Sequence, residues 1–305
     1  MRKTREGFLF WCLIIILLLF SSPARAQKVT AVVSRNINLY LEALAGFKES
    51  FKGAVESYTF IGDPIKNRLS RGRILGSNCD LYFFVGSYAA TQAKEVIGVK
   101  PVVYCLILKP EAFGLTGSKV AGISLEMPPL ARMLSLIKEV APQENKVGFL
   151  YASGAGSGPL VSKAEEEGRK LGITVITAGV RNETELPTVF RQLGNEVKYI
   201  ILSLDQLLMN DASFSYIVKT SLEMKVAVLV SGEVYARRGA FCSVVPDIKD
   251  IGRLAGELAN QITSSPRKNF QVVPPRKYNI VINSRVARLL GIKIPSTLEG
   301  VKVIR

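Results

Sequence analysis

Apolar residues along this chain fall into short continuous runs that alternate with longer stretches of helical spacing. Residues 29–33 are a short apolar run, and residues 38–52 then place Leu39, Leu41, Leu44, Phe47 and Phe51 on one broad helical face. Strand character returns at 55–61. Residues 80–85 form a continuous apolar strand, 87–97 a helix and 101–107 the next strand. Strands apolar on both faces, separated by helices, predict parallel sheets covered on both sides.

A second unit repeats the pattern. Helices are expected at 125–140, 159–171, 185–195 and 211–224, with strands at 146–151, 174–178, 199–202 and 226–230. The pairs Glu165/Arg169 and Glu166/Lys170 at i, i+4 mark the outer face of the helix over 159–171. The tail offers a strand at 241–245, a helix at 247–263, a strand at 278–282 and a helix at 283–290 closed by Gly291. One strand and one helix cannot fold alone, so 239–275 is expected to join 27–122 in an N-terminal lobe, and 276–305 to join 123–238 in a C-terminal lobe. The fold class is α/β: two lobes, each a doubly wound parallel sheet, joined by three hinge crossovers around a cleft. In such sheets ligands bind at the carboxyl ends of the strands.

The N-terminus changes the picture of where the protein works. Arg2, Lys3 and Arg5 precede an uncharged apolar run over 8–20, which ends at Ala24-Arg25-Ala26 before Gln27. That is a signal peptide over 1–26, cleaved before Gln27, and it implies a periplasmic, soluble mature protein. The alternative is an uncleaved anchor, for which a run of 13 residues is short of the roughly 20 that span a bilayer. Cys12 lies inside the run, out of position for lipid attachment.

Forty Lys and Arg against 25 Asp and Glu give a net charge of +15; residues 1–26 hold four of the basic and one of the acidic residues, which leaves +12. Export and the scatter of the basic residues argue against a nucleic-acid partner. Cys79, Cys105 and Cys242 sit in or beside apolar strands with no CxxC spacing, as buried small hydrophobes would; the alternative is one disulfide at most among the three. The chain has no histidine, which removes the Ser-His-Asp and Cys-His arrangements and the commonest zinc ligand. The expectation is a binding protein, not an enzyme, with no cofactor and no metal.

The candidate contacts lie at strand ends. Residues 153–158, with Ser153, Gly154 and Ser157, join a strand to a helix whose first position is read as Pro159; they present free backbone N–H groups to an anionic ligand group, or form a plain capped turn. The spacing G-x-G-x-G without a following Lys-Ser/Thr matches neither nucleotide motif. Gly86, Ser87 and Tyr88 occupy the corresponding place in the first lobe, with Ser87 as N-cap and Tyr88 as either a stacking surface or packed surface. Asp205 and Glu233 follow strands, as acceptors for a ligand ammonium or as solvated loop acids.

These segments also carry a resemblance. Residues 86–93 (GSYAATQA), 120–124 (VAGIS), 147–151 (VGFLY), Asp205, 235–240 (YARRGA), 251–255 (IGRLA) and the closing 282–287 (INSRVA) and 290–295 (LGIKIP) occur in this order. The chain resembles the ABC-transporter substrate-binding proteins related to the tryptophan/tyrosine-type binding proteins, over most of 75–300. The resemblance implies a type I periplasmic-binding fold, acting as a monomer that holds an amino acid or similar small solute without chemistry and docks on an ABC permease. A periplasmic sensing subunit using the same fold is the alternative. Carried over by position, the cleft loops are 86–88, 153–157, Asp205 and 231–233. The first loop carries Ser34-Arg35-Asn36 where the family usually has a His-Pro-like segment, and Ser34 and Asn36 are its candidate contacts. Lys109-Pro110 stands where an Asp-Pro is common. Both departures bear on the ligand more than on the fold.

Overall fold

The computed structural model describes residues 27–304 apart from 62, 93, 126–129, 155, 156, 265–269, 297 and 299. The expected signal peptide lies outside the described residues. Among those described, no helix is long and apolar enough to cross a membrane.

The first lobe holds strands β1 (Lys28–Val33), β2 (Ala54–Thr59), β3 (Leu81–Val85), β4 (Val102–Cys105), β5 (Val120–Ile123) and the short β11 (Val272–Val273). They form one parallel sheet in the order β11-β5-β4-β3-β1-β2. The strands read as unbroken apolar runs because both faces are covered. Along β3, Leu81, Phe83 and Val85 enter one apolar cluster and Tyr82 and Phe84 the other, the two-residue alternation of a pleated strand. The helices of this lobe are α1 (Asn38–Ser50), α2 (Pro64–Leu75) and α3 (Ser87–Gln92).

The second lobe holds β6 (Lys146–Ala152), β7 (Thr174–Val180), β8 (Tyr199–Leu202), β9 (Ala227–Val230), β10 (Cys242–Pro246), β12 (Tyr278–Asn283) and β13 (Val301–Ile304). Their order is β13-β12-β10-β9-β8-β6-β7. Its helices are α4 (Leu130–Val140), α5 (Ser157–Lys170), α6 (Leu186–Glu196), α7 (Gln206–Met209), α8 (Asp211–Glu223) and α9 (Glu233–Arg237). Here Tyr199 and Ile201 of β8 face one cluster and Ile200 and Leu202 the other. The chain closes with α10 (Ile248–Ser264) and α11 (Ser284–Leu290).

Three expectations need correction. The strand at 241–245 does not return to the first lobe: β10 pairs parallel with β9 and antiparallel with β12 in the second sheet. Only α10 and the short β11 after it cross back, so the second crossover lies at 246–248 and not at 238/239. The second sheet is mixed, because β12 runs against β10 and carries β13 with it. Helix α5 begins at Ser157, so Pro159 is its third residue rather than its first.

Helix α10 belongs to the first lobe because glycines let it approach α1 at backbone distance. A Cβ on Gly252 would lie 1.9 Å from the Ala43 carbonyl oxygen, and one on Gly46 would lie 2.0 Å from that of Lys249. The Ser50 hydroxyl donates to the Arg253 carbonyl at 2.8 Å, and Glu49 bridges Lys249 and Arg253. Cys79, Cys105 and Cys242 are buried and free, as small hydrophobes.

The crossovers fix how the sheets face each other. The chain leaves the first lobe at the carboxyl ends of β5 and β11, and it leaves the second at the carboxyl end of β10. The carboxyl ends of the parallel strands in both sheets therefore turn toward the same gap.

Candidate functional site

On the first-lobe side, the carboxyl ends of β1, β3 and β4 are laced together. The Ser34 N–H donates to the Val85 carbonyl at 2.9 Å, and the Gly86 N–H to the Cys105 carbonyl at 3.0 Å. Gly86 sits at φ +81°, and a Cβ there would lie 2.7 Å from Ser34 Oγ and 2.8 Å from the Tyr40 ring; glycine permits both the conformation and the approach. Ser34 Oγ accepts the Ala89 N–H at 2.9 Å. The cap of α3 is therefore Ser34, reaching across from another strand, and not Ser87 as expected.

Beyond this turn opens a cavity of about 860 Å³ lined by Ser34, Arg35, Asn36, Ile37, Phe60, Ile61, Pro64, Asn67, Arg68, Arg71, Tyr88 and Gln92. All belong to the first lobe; no described residue of the second lobe lines it. Tyr88 is 42% exposed and meets the buried Phe60 ring edge-on at 5.3 Å between centroids. Helix α2 enters through a capped turn: Asp63 Oδ1 accepts the N–H groups of Ile65 and Lys66 at 2.9 and 3.1 Å, with Pro64 at the first helical position. Asn67 is held by the Ile61 N–H, which donates to its Oδ1 at 3.2 Å. Arg71 pairs with Glu95, whose carboxyl is held below the ordinary range by a backbone N–H and by that guanidinium.

On the second-lobe side, Asp205 caps α7. Its Oδ1 accepts the Leu208 N–H at 2.9 Å, and its Oδ2 accepts the Ala152 N–H at 3.1 Å and the Ser203 hydroxyl at 2.5 Å. The carboxylate ties the ends of β6 and β8, which leaves little capacity for the ligand ammonium expected of it. Glu233 is engaged too: Arg237 lies at 2.7 Å and Lys302 of β13 at 3.0 Å. Lys302 first, and Arg237 with it, hold its carboxyl below the ordinary range. Ser153 donates its N–H to Val180 at 2.8 Å, and the Ser157 hydroxyl donates to the Gly154 carbonyl at 2.9 Å. Residues 155 and 156 of this loop lie outside the described residues.

The structure thus gathers Ser34, Asn36 and Tyr88 in one cavity and sets Gly86 behind them, while Ser87 is not among the lining residues. It joins Ser153 to Asp205 through Ala152, and turns Glu233 toward β13. Arg35, Asn67, Arg68, Arg71 and Gln92 were not foreseen as wall residues. Asn67, Arg68 and Arg71 lie on α2, whose polar sequence buries only Asn67 and Ile74, although Asp63-Pro64 is a readable helix start; Gln92 ends α3. Among the described residues, no cluster of three or more His, Cys, Asp or Glu could hold a metal ion.

With this geometry in view, comparison with known proteins is decisive at the level of family. Residues 62–301 match the family model described as ABC transporter substrate binding protein. The chain belongs to that family. This substrate-binding protein is 20% identical over 268 residues to a tyrosine-binding protein of Clostridioides difficile, across 85% of its own length and 76% of the relative's. Among solved structures it resembles the ligand-free, open form of a substrate binding protein with adhesive properties from Clostridium difficile (TM-score 0.71, 20% identity, 92% and 99% of the two chains). It also resembles an ABC domain from Streptococcus pneumonia in complex with L-Trp (TM-score 0.54, 22% identity, 92% and 100%). These likenesses establish the two-lobed type I periplasmic-binding fold.

Proposed function

We propose that this substrate-binding protein is the exported, periplasmic receptor of an ABC importer, a monomer that closes its two lobes on an amino acid or a solute of similar size and presents the closed form to a membrane permease. One observation carries the reading: three crossovers turn the carboxyl ends of both sheets toward one gap, and an open cavity with Ser34, Asn36 and Tyr88 in its wall lies there. A ligand that touches both lobes binds the closed form more tightly than the open one, and it shifts the equilibrium by that difference. Ser153, Gly154, Ser157 and Asp205 are the second-lobe groups that closure brings over the ligand, Asp205 acting chiefly by holding its loop. The protein's part is binding without turnover, since the wall offers no histidine and no free nucleophile–base pair.

The test is small-angle scattering together with mass spectrometry of molecules released from natively purified protein. The radius of gyration should fall when a released ligand is added back, and that ligand should be recovered unaltered. A confirmed ligand that leaves the radius unchanged refutes the hinge mechanism, and a chemically altered ligand refutes the receptor role.

A further inference from the structure

The receptor reading leaves the ligand's charge open, and the first-lobe wall decides it; this step rests on that reading. Three guanidinium groups, Arg35, Arg68 and Arg71, line the cavity, and no Asp or Glu is among its described lining residues. Arg71 has Glu95 as partner. Arg35 and Arg68 have no ion-pair partner among the described residues.

The uncharged groups of the wall point the same way. Ser34 is 2% exposed, and its oxygen already accepts the Ala89 N–H, so the hydroxyl proton is what it has to give. Asn67 is 9% exposed and its Oδ1 is occupied by the Ile61 N–H. Its Nδ2 has no partner among the described residues and stays available as a donor. The donors at Arg35, Arg68, Asn67 and Ser34, with no carboxylate among the described lining residues, suit an acceptor-only group, and a guanidinium fork fits the two oxygens of a carboxylate or phosphoryl group. Like charges gathered in one cavity also repel each other, which a bound anion relieves and a bound cation aggravates. On the opposite lobe Asp205 and Glu233, the acids expected to receive an ammonium, are engaged within the protein.

We infer that the first-lobe wall seats an oxyanion, and that the ligand carries a net negative charge: a carboxylate or phosphoryl group held by Arg35, Arg68, Asn67 and Ser34, on an apolar body lying against Tyr88. The ligand class is an organic anion and not a zwitterionic amino acid.

Calorimetry with four probes that share an aromatic ring tests this: 4-hydroxyphenylacetate, phenyl phosphate, L-tyrosine and tyramine. One of the two anions should bind at least tenfold more tightly than L-tyrosine, and which one names the oxyanion; tyramine should not bind. Binding should weaken as salt is raised. Arg68→Gln should weaken the preferred anion by roughly ten- to a hundredfold at an unchanged melting temperature, and Arg68→Lys by less. The inference is overturned if L-tyrosine or tyramine binds more tightly than both anions, if neither anion binds, or if Arg35→Gln and Arg68→Gln both bind as the parent does. Compaction of the protein on L-tyrosine, with the anions inert, sinks the charge assignment alone and leaves the solute receptor standing.

Discussion

The ion pair at the hinge permits a prediction whose sign is set by burial. Asp250, in the first turn of α10 just after the second crossover, has a side chain 2% exposed. Arg276, in the third crossover, reaches it with Nε at 3.1 Å and pairs with Glu257 at 2.8 Å through Nη1. Removing the arginine strands a buried carboxylate, and breaking a fully buried pair in that way costs about 3–5 kcal/mol. Three features reduce the figure here. The Arg276 side chain is 42% exposed, the Lys277 ammonium stands 3.9 Å from the same carboxylate, and the start of α10 favours a negative charge. Arg276→Gln should therefore cost about 2–3 kcal/mol. Asp250→Asn removes the buried charge itself and leaves a solvated arginine still paired with Glu257, so it should cost only about 1 kcal/mol. For a protein of this size each kcal/mol lowers the melting temperature by about 2–4 °C. Calorimetry and urea unfolding of the two single variants should give the arginine variant the lower stability, and adding Asp250→Asn to Arg276→Gln should recover part of the loss. Equal costs, or a larger cost for Asp250→Asn, would refute the argument that the stranded charge dominates.

Three other outcomes follow from particular residues. Gly252→Ala should destabilise by about 1–3 kcal/mol in urea unfolding, because its Cβ would meet the Ala43 carbonyl oxygen at 1.9 Å and force α10 away from α1; Gly154→Ala, with open space around it, should not be destabilised by a clash. Burial pushes the thiols of Cys105 and Cys242 well up, so a thiol reagent at pH 8 should label neither until the protein is unfolded. Glu233 should titrate by NMR below the ordinary carboxylate range, with Lys302→Met moving it up more than Arg237→Met. Because its folded pKa is depressed, its contribution to stability is present above the ordinary carboxylate pKa and is lost as the pH falls through the depressed value.

How much of this was legible in the chain differs from element to element. The continuous apolar runs at 80–85 and 199–202 identified strands covered on both faces, because a pleat alternates its side chains and neither face could be polar. Helix and strand alternation then pointed to two parallel sheets, which is true of the first and of most of the second, and the ordered segments from 86–93 to 290–295 pointed to the family. The strand at 241–245 was seen but assigned to the wrong lobe. Its five residues are apolar enough for either sheet, and pairing with β9 and β12 is a long-range choice with no local signature. The destination of α10 was settled in a similar way, by backbone approach at Gly46 and Gly252 to a helix some 200 positions away in the chain. At the site, the residue types were readable at strand ends, but their partners were not. Asp205 looked like a free acid until β6 and β8 came together around it, and Ser34 like a free ligand contact until α3 presented the Ala89 N–H. Arg35, Asn67, Arg68 and Arg71 share a wall only because the start of α2, packed beside β2, comes next to the loop that follows β1. The sequence by itself determined the periodicities, and through them the α/β fold, while its ordered segments carried the resemblance to the family. Which polar groups are left unsatisfied in the cleft was decided by tertiary structure alone, because a donor or acceptor is free only once every other partner has been placed.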